Sequence, residues 1–155
     1  MNAPRFNHLA IAVNVALQFV LGMIWYGGIF AQAWLTGLER DEITVRRNGP
    51  TPYLLAIVAA AAMGYGLSWL LQQAKARSMG DALKIGLLVG VVFTALPLAM
   101  HHAFAGFSWE LAAIDMGNRM VGIVLATVLL TLWQPKAQAP IKPAVVVGTV
   151  RSRAA

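Results

Sequence analysis

The sequence contains no cysteine and few charged residues. Only 12% of its 155 residues are Asp, Glu, Lys or Arg, about half the share in an average soluble protein. Without cysteine the chain forms no disulfide, no cysteine-based zinc or iron–sulfur site and no thiolate nucleophile. Gly-x-Ser-x-Gly, the phosphate-binding loop and the three-glycine dinucleotide motif are missing too. We therefore expect neither an enzyme nor a bound cofactor.

Apolar surface is what the sequence has in excess. Hydrophobic residues make up 59% of the chain, which is more than a soluble core of this size can bury. The net charge is +6, but the basic residues form no continuous patch. This distribution favours anionic lipid headgroups over nucleic acid as partners. The composition predicts a membrane protein.

Four apolar windows are long enough to cross a membrane. They cover approximately residues 8–30, 53–73, 82–104 and 112–133. A bilayer core of about 30 Å requires about 20 helical residues, and the windows lack the alternation of strands. We predict an all-α fold, an integral membrane four-helix bundle over residues 1–134. Short links should make its last three helices antiparallel neighbours.

Two segments outside these windows have their own character. In the first loop, Phe30, Trp34, Leu35 and Leu38 precede a charged run, which predicts a short amphipathic helix on the membrane surface. Residues 135–155 are rich in Pro, Ala and Lys. We expect a disordered basic tail there, attracted to anionic headgroups.

Lysine and arginine are divided unequally between the two sides of this topology. Eight lie on the side of the termini and three on the other, so the positive-inside rule predicts that both termini are cytoplasmic. The eight are Arg5, Lys75, Arg77, Lys84, Lys136, Lys142, Arg151 and Arg153, and the three are Arg40, Arg46 and Arg47.

Each predicted helix carries a narrow face of small or polar residues, which allows close packing. In the third helix, Pro97 should kink the chain or free the carbonyl four residues earlier. The four faces comprise Asn7, Asn14, Gln18, Gly22 and Trp25; Ala56, Ala60, Gly64 and Ser68; Gly86, Gly90, Thr94, Pro97 and His101; and Asp115, Asn118, Arg119, Gly122 and Ala126.

Ionisable and aromatic side chains converge toward the outer halves of three helices. A histidine with a carboxylate partner can carry protons, and an arginine can hold an anion through two hydrogen bonds. We therefore predict a ligand or proton site there. Its candidate residues are Asn14, Trp25, Tyr26, His101, His102, Asp115, Asn118 and Arg119.

The same residues also have purely structural interpretations. Asp115 and Arg119 are four residues apart and can form an ion pair along one helix face. A histidine pair at a helix end is often interfacial. His101 and His102 point about 100° apart on a helix, so they cannot both ligate one ion. We expect no metal site.

Several of these residues also form a recognisable pattern. Asn14, Gly22-Met-Ile-Trp-Tyr26, Phe30, Trp34 and Asp115-Met-Gly-Asn-Arg119 resemble the bacterial membrane family known as domain of unknown function 1761 (DUF1761). The likeness covers about residues 7–133. It implies a four-helix inner-membrane protein without an assigned activity.

Three hypotheses about function follow. The first is a multi-pass inner-membrane protein whose outward-facing polar pocket binds a small or lipid-like ligand, or locks the bundle. The second is a small proton-coupled transporter that works as a homo-oligomer. The third is an accessory subunit of a membrane complex.

Overall fold

The computed structural model describes residues 5–76 and 78–133. Within these ranges it contains α-helices, two short π-helical turns and no strand. The α-helices are α1 (His8–Ile24), α2 (Ala31–Gly37), α3 (Glu42–Arg46), α4 (Thr51–Gln73), α5 (Met79–Gly90), α6 (Leu96–Ala105) and α7 (Trp109–Leu132). The π turns are Trp25–Ile29, which continues α1, and Val91–Ala95, which joins α5 to α6. The tail predicted for residues 135–155 lies outside the described residues.

Four helical segments are long and apolar enough to cross a membrane, as the sequence predicted. They are span 1 (His8–Ile29), span 2 (Thr51–Gln73), span 3 (Met79–Ala105) and span 4 (Trp109–Leu132), with mean hydropathies between 1.5 and 2.1. The fold is an all-α, four-helix membrane bundle.

Side-chain caps explain why spans 3 and 4 begin earlier than predicted. Ser78 and Ser108 have extended backbones, and each hydroxyl oxygen accepts a hydrogen bond from the N–H three residues later. Such N-caps satisfy amides that have no partner within the helix. The polar first turns are therefore helical, although they lack the apolar character by which the windows were drawn.

Helix α7 is the centre of the bundle. It packs against α1, α2, α4, α5 and α6. Spans 2 and 3 make only slight contact with each other, so their short link does not make them close neighbours as predicted. Close approach depends on small residues, since Gly86 of span 3 lies directly against the Thr127 side chain of α7.

The two ends of the bundle differ in construction. At the tail end, Asn7 Nδ2 donates a hydrogen bond of 2.9 Å to the Trp133 carbonyl oxygen, so the start of α1 lies beside the end of α7. A buried apolar cluster fills this half, formed by Ala10, Ile11, Leu67, Leu71, Ala82, Ala126 and Leu130. The opposite end, which we call the loop end, carries α2, α3 and the link between α6 and α7.

The first loop contains two short helices where the sequence predicted one. Helix α2 ends at Gly37, and Glu39 then adopts a left-handed backbone with φ of +53°. Helix α3 restarts because the Asp41 side chain accepts a 2.7 Å hydrogen bond from the Thr44 N–H. The charged run therefore forms its own capped helix.

Pro97 is preceded by a π turn. The Leu96 N–H bonds to the Val91 carbonyl oxygen, five residues earlier, and α6 continues through Pro97. Proline offers no N–H to the carbonyl four residues before it and clashes with that carbonyl in a regular helix. A wider turn accommodates the clash, and it inserts one extra residue into the helical repeat.

Candidate functional site

Asp115 of α7 joins three spans through hydrogen bonds. Its Oδ1 accepts a hydrogen bond of 3.0 Å from the Tyr26 hydroxyl of span 1. Its Oδ2 lies 3.2 Å from Nε2 of His102 in span 3. When the Asp115 carboxylate is ionised it only accepts hydrogen bonds, and Nε2 then carries the shared proton. We call Tyr26, His102 and Asp115 the polar triad.

The triad is shielded from the surroundings. The His102 side chain is 5% exposed and that of Asp115 is 21% exposed. Aromatic rings enclose it: Trp34 of α2 packs on Tyr26 with ring centroids 5.1 Å apart, and Phe107 packs on His102 at 5.4 Å. Both aromatics lie outside the spans, so helical periodicity gave no signal that they would contact the site.

The structure separates the two candidate histidines. His102 is buried, whereas His101 is exposed, with ring centroids 6.0 Å apart. The prediction put His101 on the inner face with Gly86 and Gly90, assuming 100° per residue throughout. That assignment was wrong because the π turn adds a residue, and His102 takes the position that a regular helix gives to residue 101.

Trp25 fixes span 1 against α7 beside the triad. Its Nε1 donates a hydrogen bond of 3.0 Å to the Ile114 carbonyl oxygen. Its ring lies over Gly117, where a Cβ atom would come within 3.0 Å of it. Since any larger residue at 117 would push the indole away, Trp25 has a positioning role next to Tyr26.

Arg119 does not form the ion pair with Asp115 that their four-residue spacing allows. Both Asp115 oxygens are engaged by His102 and Tyr26. Among the described residues, no carboxylate oxygen lies within 4.0 Å of the Arg119 guanidinium. Arg119 is exposed. The four-residue spacing permitted a pair, but residues from other spans compete for the acid.

Asn14 lies apart from the triad. It is twelve residues before Tyr26 in span 1, a rise of about 18 Å. Its Nδ2 donates to the Ala60 carbonyl oxygen at 3.2 Å, and its Oδ1 accepts from Gln18 at 3.3 Å. Gln18 in turn donates to the Gly122 carbonyl oxygen at 2.8 Å. These amides link spans 1, 2 and 4 and serve packing.

Two buried nitrogen atoms near this region have no hydrogen-bond partner among the described residues. They are Nδ1 of His102 and Nδ2 of Asn118, whose residues are 4% and 9% exposed. Buried polar groups are nearly always paired. With Nε2 protonated, Nδ1 of a neutral His102 is an acceptor and the Asn118 amide is a donor. The site therefore retains hydrogen-bonding capacity of both kinds.

Two open cavities lie at the loop end, and neither is lined by His102, Asp115 or Asn118. One, of about 270 Å³, is lined by Trp25, Phe30, Glu110, Ala113 and Ile114. The other, of about 320 Å³, is lined by Trp34, Leu38, Arg40, Val45, Asn48, Pro52 and Phe107. Across residues 5–76 and 78–133, no three His, Asp or Glu side chains are grouped as metal ligands.

Comparison with protein-family models finds a family that matches most of the chain. The family model described as protein of unknown function (DUF1761) matches residues 9–131, which include every member of the triad. The chain belongs to the DUF1761 family. Comparison with curated proteins and with solved structures gives no match. Membership in DUF1761 and the four apolar spans establish a membrane protein, and the family brings no activity with it.

Proposed function

We propose that this DUF1761 protein is a bacterial inner-membrane protein that binds a small or lipid-like ligand at the polar triad. The observation that carries the proposal is the Asp115 carboxylate, which is bonded at once to Tyr26 and His102 from two other spans. Polar and ionisable side chains are costly inside a membrane, and such groups usually mark function. The proposal assigns no catalytic step to these residues.

The two unpartnered nitrogens support a ligand rather than a purely structural clamp. In a purely structural clamp, the polar groups satisfy each other's hydrogen bonds, but the described residues offer no hydrogen-bond partner to His102 Nδ1 or Asn118 Nδ2. A ligand that offers a hydrogen-bond donor and an acceptor fits both.

We further propose that both termini are cytoplasmic and that the triad lies in the outer half of the bilayer. The positive-inside count of eight cations against three supports this orientation. The hydrogen bond from Asn7 to Trp133 puts the first and last spans antiparallel at the tail end. The triad is near the opposite end, because Tyr26 and His102 come late in their spans and Asp115 comes early in α7.

Binding at the triad is tested by comparing two variants that each remove one phenol hydroxyl. Tyr26→Phe loses the bond to Asp115, whereas Tyr65→Phe loses a 2.8 Å contact with His8. Protein purified from native membranes is extracted, and co-purified small molecules are quantified by mass spectrometry. We expect a molecule that is retained by the wild type and by Tyr65→Phe and is depleted in Tyr26→Phe and His102→Gln.

Equal recovery of every co-purified molecule from all four proteins would refute binding at the triad. Size-exclusion chromatography and circular dichroism establish that each variant is folded. Retention by Tyr65→Phe rules out a general effect of losing a tyrosine hydroxyl.

The orientation of the chain in the membrane is tested with reporter fusions. A reporter fused at Asn48 should be active outside the cytoplasm, and one fused after Pro135 should be active inside it. The reverse pattern would contradict the orientation and move the triad to the inner half of the bilayer. Intact-cell labelling of a cysteine introduced at Asn48 checks the result, since the chain has no other cysteine.

A second candidate function is proton-coupled transport, which the His102–Asp115 pair favours. An imidazole 3.2 Å from a carboxylate inside a membrane is a suitable proton-binding unit. The test is a pH-sensitive dye inside liposomes that contain the purified protein. Proton flux equal to that of protein-free liposomes, or flux that persists in Asp115→Asn, would argue against this function.

A further inference from the structure

Arg119 is an exposed cation midway along a membrane-spanning helix. It is the eleventh of the 24 residues of α7, a helix about 36 Å long at 1.5 Å per residue. A guanidinium at this depth in an apolar environment is costly unless it finds an anion or reaches the interface. No carboxylate of the described residues supplies that anion.

The position of Arg119 on α7 lies between two covered strips. On one side, Gly122 is covered by Gln18 of span 1. On the other, Met120 packs against Gly90 of span 3. Arg119 follows Asp115 by one helical turn and projects between these contacts. Spans 1 and 3 therefore form the walls of a groove, and α7 forms its floor at Asp115 and Arg119.

Span 2 closes the same strip of α7 toward the tail end but not at Arg119. About two and three turns further along, Ala126 and Leu130 are covered by the cluster that includes Leu67 and Leu71 of span 2. In the outer part of span 2, every residue of Thr51–Ala59 is exposed. The strip is consequently uncovered at Arg119, between the span 2 contacts toward the tail end and the contact of α2 with Leu111 toward the loop end.

We propose that this groove binds the anionic headgroup, a carboxylate or a phosphate, of an amphiphile that enters sideways from the outer half of the bilayer. The inference rests on the proposed function and names the ligand class of the same site. Arg119 binds the anion, the polar triad receives its remaining polar groups, and the hydrocarbon chain stays in lipid along the exposed part of span 2.

The geometry of the helix suits this role. Side chains in an α-helix lean toward its N-terminus, which for α7 is the loop end. The Arg119 guanidinium is therefore carried toward the turn of α7 that holds Asp115. A planar guanidinium binds a carboxylate or phosphate through two parallel hydrogen bonds. A zwitterionic headgroup also brings an ammonium charge, which the Arg119 guanidinium repels.

The experiment measures the binding of three probes to protein in detergent micelles by native mass spectrometry. The probes are a long-chain fatty acid, a phosphatidylglycerol and a phosphatidylcholine. We expect preferential retention of at least one anionic probe over phosphatidylcholine. Arg119→Gln should weaken that retention by roughly tenfold or more, as expected for losing a charge-assisted pair, and Arg119→Lys should weaken it less.

Arg47→Gln is the matched control, because it removes the same charge from an exposed position in the first loop. Loss with Arg119→Gln but not with Arg47→Gln supports the groove, and the better-retained anion identifies carboxylate or phosphate. Equal loss in both variants would indicate nonspecific attraction and overturn the inference. If a ligand depends on Tyr26 and His102 but not on Arg119, the anionic class is wrong while the proposed function stands.

Discussion

The tail-end half and the loop-end half of the bundle are built on different principles. At the tail end, small residues and aliphatic side chains interlock around Leu71 and Leu130, and the buried apolar cluster leaves little exposed along α7. At the loop end, Asp115 bridges two spans, two buried nitrogens have no partner among the described residues and Arg119 is exposed. The tail-end half therefore supplies the packing that stabilises the bundle, whereas the loop-end half retains polar groups that the described residues do not satisfy.

The largest loss of stability is expected from a substitution that disrupts the tail-end packing. A Cβ atom at Gly86 would overlap the Thr127 hydroxyl oxygen, and Thr127 is fully buried and bonded to the Ile123 carbonyl oxygen. Gly86→Ala should therefore lower the free energy of unfolding by about 1–3 kcal/mol. Denaturant titration in micelles measures it. Gly66→Ala is the control, since nothing lies within 4 Å of that position.

A smaller effect is expected midway between the two halves. Gln18 Nε2 bonds to the Gly122 carbonyl oxygen and to Asn14, so Gln18→Leu should cost about 1 kcal/mol, within the range of hydrogen bonds between membrane helices. The same titration applies. Gln73→Leu, at the exposed end of α4, should leave stability unchanged, and equal losses in both variants would show that the amide bonds contribute nothing specific.

A substitution in the polar triad should lower the free energy of unfolding by less still. Tyr26→Phe removes one 3.0 Å hydrogen bond and no packing volume, which predicts a loss of about 0.6 kcal/mol. Its effect on ligand retention should be much larger. A loss of unfolding free energy equal to that of Gly86→Ala would identify the triad as a structural clamp and remove the distinction between the halves.

The smallest effect concerns α3 in the loop. Hydrogen bonds from the Thr44 side chain and backbone N–H lower the pKa of Asp41. A carboxyl with a depressed pKa in the folded helix contributes its stabilisation above its ordinary pKa and loses it as the pH falls through the lowered value. The protection of the Thr44 amide against exchange, relative to the intrinsic rate at each pH, should fall over that acidic window. Asp41→Asn keeps the cap without titrating, so this fall should disappear.

Sequence by itself determined the membrane class and the four spans to within a few residues, because these depend on composition and on the length of apolar runs. It also determined the family, because the residue pattern from Asn14 to Arg119 is visible along the chain. It also brought Trp25, Tyr26, His102 and Asp115 to one region. Tertiary structure alone decided which side chains meet there. Asp115 bonds to His102 and Tyr26 instead of Arg119, and His102 replaces His101 on the inner face. Helical periodicity assumes a constant 100° per residue, whereas the π turn before Pro97 shifts the angular positions of the residues that follow it. Periodicity also considers neighbours on one helix only, whereas residues from other helices compete for the Asp115 carboxylate.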